Sequence, residues 1–158
     1  MSPRGAWART ALPTGLVVLV DQVTKKLARD GIRPGTEDPI LPALKLVNVR
    51  NDGVAFGLDV GGKTLVIVAI AVVMLGVVLY FARHTTRPLI WVPTGLLVGG
   101  ALGNIVDRVR DGGVTDFLKI PLWPAFNVAD IAITIGVLAL VIVLERRDDG
   151  ERSAPRPA

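Results

Sequence analysis

Two long runs without charge constrain this chain more than any other feature: Thr64–Phe81, 18 residues, and Pro88–Val106, 19 residues. As helices, each is long enough to cross a hydrocarbon layer about 30 Å thick. The whole chain of 158 residues is 51% hydrophobic and 20% charged, with a mean hydropathy of +0.51. Soluble domains carry roughly 25% charge and interleave it with their apolar positions. Here the apolar residues are bunched, which excludes an ordinary soluble domain and a disordered chain alike.

Four apolar segments are expected to span a membrane, over residues 10–28, 64–81, 88–106 and 126–144. The first follows Arg4 and Arg9 like a signal peptide, but Asp21-Gln22 stands where a small-residue cleavage site would be, so it reads as a retained helix. Residues 1–147 form one membrane domain in this reading, and the charged, Pro-containing stretch 148–158 reads as a disordered cytoplasmic tail. Charge density around short loops favours both termini on the cytoplasmic side, although the raw count of Lys and Arg does not.

Several chemistries are excluded at once. The chain has no cysteine, so no disulfide framework, thiolate zinc site or cysteine nucleophile is available. Its one histidine, His84, cannot assemble a His metal cluster or a Ser-His-Asp triad. The net charge of +4 comes from scattered loop and tail residues without aromatic interleaving, which argues against nucleic acid as a partner. No metal or cofactor is expected.

Antiparallel spans then make a prediction that needs no motif. The end of the first and third spans and the start of the second and fourth share one membrane face. The unusual polar residues fall there: Asp21 and Lys25, then Asn104, Asp107 and Arg108, then Asn127 and Asp130. Asn51-Asp52-Gly53 and the segment from Gly112 to Pro124 hang from the same side. Ionisable groups beside spans are costly and mark functional sites. Asp116 stands in a short apolar run that returns towards the membrane, and Asp130 in the first turn of an apolar helix. If the loop folds back, the two carboxyls can share a proton, activate a water and protonate a leaving amine.

The simpler readings stand beside the sharper ones. Asp21 and Lys25, four residues apart on one helix face, can be a structural ion pair. Asn104 and Asn127 can orient a carboxylate or cap a helix end. Arg108 can bridge to the adjacent Asp107 or meet substrate carbonyls or lipid phosphate. Gly95, Gly99 and Gly103 repeat every four residues, as a helix-packing stripe would. Glu37, Asp38, Asp52 and Asp59 read as solvated loop charges.

Five motifs carry a resemblance. They are Asp21-Gln22 with Lys25; Asn51-Asp52-Gly53-Val54-Ala55-Phe56-Gly57; Gly99 to Arg108; Val114-Thr115-Asp116-Phe117; and Phe126-Asn127-Val128-Ala129-Asp130. Their order and spacing resemble the lipoprotein signal peptidases (signal peptidase II) of bacterial inner membranes, from Asp21 to about Ile135. The resemblance implies an all-α integral membrane protein with four transmembrane helices and a small extracytoplasmic β-structured segment, placed at Ile40–Val60. It implies catalytic aspartates at Asp116 and Asp130, on the extracytoplasmic face. Asp21, Lys25, Asn51, Gly53, Asn104, Arg108, Asn127 and Ala129 match positions used around that site. The implied substrate is a diacylglyceryl-modified prolipoprotein, cut just before its lipidated cysteine, with membrane lipid as the surrounding partner. A proton-coupled transporter using Asp21, Asp107, Asp116 and Asp130, or a non-enzymatic scaffold, are the alternatives from other classes.

Overall fold

The computed structural model describes residues 3–52 and 62–152; Gly53 to Phe56, Gly57 and Asp59 lie outside the described residues. Among the described residues, four helices and three strands follow in the order α1 (Pro3–Gly31), β1 (Glu37–Leu41), β2 (Leu44–Asn51), α2 (Gly62–Arg83), α3 (Trp91–Asp111), β3 (Val114–Lys119) and α4 (Val128–Arg152). The four expected helices are present, each longer than its apolar stretch. α4 carries on past the apolar run to Arg152, so residues 148–152 are helical and not part of a disordered tail. Glu145, Arg146 and Arg147, directly after the apolar run, are good helix formers and carry the helix onward.

Among the described residues, one helix segment alone is long and apolar enough to cross a membrane by itself: Val128–Glu145 in α4, with mean hydropathy 2.4. Ile67–Arg83 in α2 is a shorter apolar stretch. α1 and α3 fall below that standard because Asp21, Gln22, Lys25, Lys26, Asn104 and Asp107 interrupt them.

Polarity in this bundle is inverted relative to a soluble protein. Leu12, Leu16, Leu19, Val23 and Leu27 form an exposed stripe along α1, while Asp21 and Lys25 on its other side are 0% exposed. Val68, Val72, Val73, Leu75 and Leu79 of α2 and Ile135, Leu138, Val141 and Ile142 of α4 are likewise exposed. An apolar exterior of this extent around a charged interior needs an apolar surrounding.

α3 is the central helix, packed on α1, α2 and α4. Its glycine stripe makes this possible. A Cβ on Gly95 would stand 2.4 Å from Pro13 Cγ, on Gly99 2.8 Å from Val17 Cβ, and on Gly103 2.5 Å from Asp21 Oδ2. The small residues thus let α1 approach, as their spacing predicts. α3 stops at Gly112, whose φ of 75° is left-handed and whose N–H donates to Arg108 O at 3.1 Å. Glycine takes that conformation without the Cβ penalty.

The strands form one antiparallel sheet in the order β1-β2-β3. β2 falls within the stretch expected to hold β structure, Ile40–Val60, whereas β1 begins three residues before it, at Glu37; β3 is an addition, since residues 114–119 read as a returning loop. Its pairing sets the site. Val49 lies opposite Asp116 and Asn51 opposite Val114. Beyond β3 the chain turns through Leu122, held at φ 61°, and Phe126 bridges back to Leu118 by N–H···O bonds of 2.8 and 2.9 Å. Asn127 therefore opens α4 directly beside β3.

Candidate active site

Asn127 is the residue on which the two aspartates meet. Its side chain and that of Asp130 close a reciprocal cap at the start of α4. Asn127 Oδ1 accepts the Asp130 N–H at 3.1 Å, and Asp130 Oδ2 accepts the Asn127 N–H at 3.1 Å. Two otherwise orphaned N–H groups of the first turn are satisfied in this way. The remaining face of the Asn127 amide points across to β3, where Nδ2 donates to Asp116 Oδ1 at 2.6 Å. Asn51, the last residue of β2, donates its Nδ2 to Asp116 Oδ2 at 3.1 Å. Asn104 of α3 donates its Nδ2 to Asp130 Oδ1 at 2.9 Å. Three asparagines from three elements therefore hold two carboxyl groups.

Behind this layer lies a buried charge cluster. Lys25 Nζ is 2.8 Å from Asp21 Oδ2, 3.1 Å from Asp107 Oδ2 and 2.9 Å from Asn104 Oδ1. All three charged residues are 0% exposed. Two carboxylates against one ammonium leave a negative excess, and backbone donors offset it. Ala129 N–H, at the positive end of α4, donates to Asp21 Oδ1 at 2.9 Å. Thr115 N–H donates to Asp107 Oδ2 at 3.2 Å. The cluster thereby ties α1, α3, β3 and α4 together.

Asp107 does not bridge to Arg108. It turns inward to Lys25, while Arg108 donates to Asn104 O at 3.2 Å. Adjacent residues on a helix point about 100° apart, so sequence neighbours of opposite charge there do not face each other. Gln22, part of the first motif but given no role from the sequence, is a further member. Its Nε2 lies 2.9 Å from Asp107 Oδ1, and 3.2 Å from both Asp21 Oδ2 and Gly103 O. The signal was available, since Gln22 stands beside Asp21 and three residues before Lys25. Of the expected site residues, Asp21, Lys25, Asn51, Asn104, Asp116, Asn127, Ala129 and Asp130 are brought together, Arg108 flanks them, and Gly53 lies outside the described residues.

Burial pushes the Asp116 carboxyl up from 3.8 to about 6, with the nearby Asp130 adding to the effect and the two asparagines opposing it. The folded protein thus holds this proton more tightly than the unfolded chain. The stability linked to it is complete below about pH 4 and is lost as pH rises through about 6. Among the described residues, one depression opens on each aspartate. One, about 290 Å³, is lined by Asn51, Asp116, Arg50, Asp52, Val49, Pro124 and Ala125. The other, also about 290 Å³, is mainly apolar and runs along α4 from Asp130 past Ile131 to Ile135, with Ile120, Trp123 and Phe126 opposite.

A helical bundle with an apolar exterior and a charged, site-bearing interior is the layout of a bacterial membrane enzyme. A solved structure so described, determined by the in meso method at 2.3 Å resolution, superposes with a TM-score of 0.81 at 30% identity, covering 94% of this chain and 93% of that one. A second, at 1.9 Å resolution, gives 0.76 at 33% identity over 85% of this chain and 91% of its own. The chain belongs to the signal peptidase (SPase) II family, whose model matches residues 14–145. Lipoprotein signal peptidases of Moorella thermoacetica and Thermodesulfovibrio yellowstonii are both 41% identical, over 128 and 139 residues. These alignments cover 79% and 84% of this chain and 85% and 92% of the relatives. Membership makes the chain a peptidase of prolipoprotein signal peptides.

Proposed function

We propose that this protein is an aspartic endopeptidase of the bacterial cytoplasmic membrane that cuts diacylglyceryl-modified prolipoproteins just before the lipidated cysteine, with Asp116 and Asp130 as its catalytic residues. The observation that carries this reading is the shared asparagine. Asn127 donates to Asp116 through its side chain and to Asp130 through its backbone, so one residue holds both carboxyls. One carboxylate takes a proton from a water held between them, and the hydroxyl oxygen attacks the scissile carbonyl carbon. The protonated carboxyl gives its proton to the carbonyl oxygen. As the C–N bond breaks, the amine leaves with a proton from the pair. The step needs two carboxyls, one proton between them and water.

The inverted polarity supports four spans, with α1 and α3 admitted to the membrane because their charges face inward. The site then lies at the extracytoplasmic end and both termini in the cytoplasm. The apolar depression that begins at Asp130 and follows α4 suits the lipid part of the substrate, which stays in the bilayer. Two acyl chains, at about 0.8 kcal/mol per buried methylene, anchor it firmly. The polar depression at Asn51 and Asp116 suits peptide backbone.

The test is cleavage of a lipobox peptide, with and without the diacylglyceryl group, by the protein in nanodiscs. A cut before the cysteine, at least about a hundredfold slower for the unlipidated peptide, is expected. Equal rates for the two peptides would remove the lipid from the recognition, and a cut elsewhere would overturn the proposed cleavage position. The same assay carries a pH prediction. The pair works with one proton, and Asp116 loses its proton near pH 6. In the substrate-free enzyme kcat/KM therefore falls about tenfold per pH unit above that point. A profile flat between pH 6 and 8 would contradict it.

A further inference from the structure

We propose that Lys25 is a positioning residue for this reaction: its ammonium fixes the Asn104 amide so that Asp130 is held as the ionised carboxylate that takes the water proton, and Asp116 carries the proton the pair shares. This rests on the aspartic reading above and adds a separate role to each carboxyl.

The assignment follows from which groups can only donate. An ammonium has no acceptor, so the Asn104 atom 2.9 Å from Lys25 Nζ has to be Oδ1. The same oxygen also receives Asn127 Nδ2 at 3.3 Å. Flipping the amide would set its N–H groups against both donors. The Asn104 Nδ2 is thereby committed to Asp130 Oδ1 at 2.9 Å. The other Asp130 oxygen receives the Asn127 backbone N–H at 3.1 Å, a second group that can only donate. A proton on either oxygen in these directions would meet an N–H. Asp130 also occupies the third residue of α4, where the helix N-terminus favours negative charge.

Asp116 is placed differently. Its Oδ1 receives Asn127 Nδ2 at 2.6 Å, and Asn127 is itself held by the Asp130 N–H on its oxygen. Its Oδ2 receives Asn51 Nδ2 at 3.1 Å, from a side chain that, unlike a backbone N–H or an ammonium, contains an acceptor as well as a donor. Asp116 is 2% exposed, and burial favours its neutral form. Among the described residues, the charged groups around the pair are Asp21 and Lys25 from α1, Asp107 and Arg108 from α3, and Arg50 and Asp52 at the mouth beside Asp116. Of these cations, Lys25 is the one that reaches the pair through a hydrogen-bonded amide of fixed orientation, by way of Asn104.

The experiment is the pH profile of lipidated-peptide cleavage for the full chain in nanodiscs, wild type against the double variant Lys25→Met/Asp107→Asn, which removes one charge of each sign. Thermal unfolding checks that the variant is folded. With the ammonium gone, the Asn104 oxygen can turn to Asp130 and the pair holds its proton more tightly. The expected result is a kcat lower by about tenfold or more, KM within about twofold, and a high-pH limb moved up by about one unit. A folded variant whose limb coincides with that of the wild type, however slow, overturns the proposal. If the double variant does not fold, Asn104→Ser removes the amide and leaves the Asp21–Lys25–Asp107 cluster in place. It has to show the same upward shift, and an unmoved limb again overturns the role. Failure of the underlying reading is a different outcome: the wild type does not cut, or cutting survives Asp116→Asn and Asp130→Asn.

Discussion

Asp116→Asn and Asp130→Asn are each expected to lower cleavage of the lipidated peptide by about 10³-fold or more while the protein stays folded. General acid–base groups contribute about 10²- to 10⁴-fold each, and an amide can neither accept the water proton nor return it. Folding survives because the change is nearly isosteric at both positions. At residue 130 an Asn oxygen can keep one of the two N–H contacts made by the native carboxylate, to the Asn127 backbone or to Asn104. The lost contact costs about 1 kcal/mol, as other cap losses do. At residue 116 the new oxygen can keep the Asn127 amide, and the contact from Asn51 Nδ2 is the one given up. Asp38→Asn, on the exposed strand β1, serves as the control and leaves the rate unchanged. Retained activity in both site variants would sink the dyad. Loss in one only would mean that the surviving position merely supports the fold.

What the sequence made legible here was the convergence of polar residues. Antiparallel helices of membrane length carry their ends to predictable faces, so Asp21, Asn104 and Asn127 could be assigned to one end without coordinates. The glycine stripe was legible for a similar reason, because a four-residue repeat of small side chains has few other uses in an apolar helix. The third strand was not. Residues 114–119 alternate too weakly to announce a strand, and what makes them one is pairing with β2, a long-range contact that local pattern does not contain. That pairing decides the site, since it seats Asp116 opposite Val49 and within reach of Asn51. The partner of Asp107 was misread because adjacency along a helix suggests a bridge that the 100° step between residues forbids. An average over their residues also hides the place that the proposed four-span reading gives α1 and α3. Their charges lower the mean hydropathy, yet those charges point at one another inside the bundle.

Lys25→Met alone should be the most damaging single substitution to the fold. The methionine has similar length and would fill the space, so no cavity enters the comparison. What changes is the balance of charge. Asp21 and Asp107, both 0% exposed, lose the ammonium at 2.8 and 3.1 Å and keep one backbone N–H each, with Gln22 Nε2 beside both. Removing one partner of a buried ion pair costs about 3–5 kcal/mol, since the remaining charge stays desolvated and uncompensated. Here two carboxylates are left, so the upper part of that range applies, a large fraction of the 5–15 kcal/mol that typically holds a domain together. Thermal unfolding in detergent would show this as a large drop in midpoint, or as failure to recover folded protein. Replacing Asp107 by Asn in the same chain should recover about half of the loss, because one of the two orphaned charges goes with it. The opposite pattern, a stable Lys25→Met and a double variant no better, would mean that the cluster is protonated or hydrated enough to do without its cation. The four elements it joins would then be held together by helix packing alone.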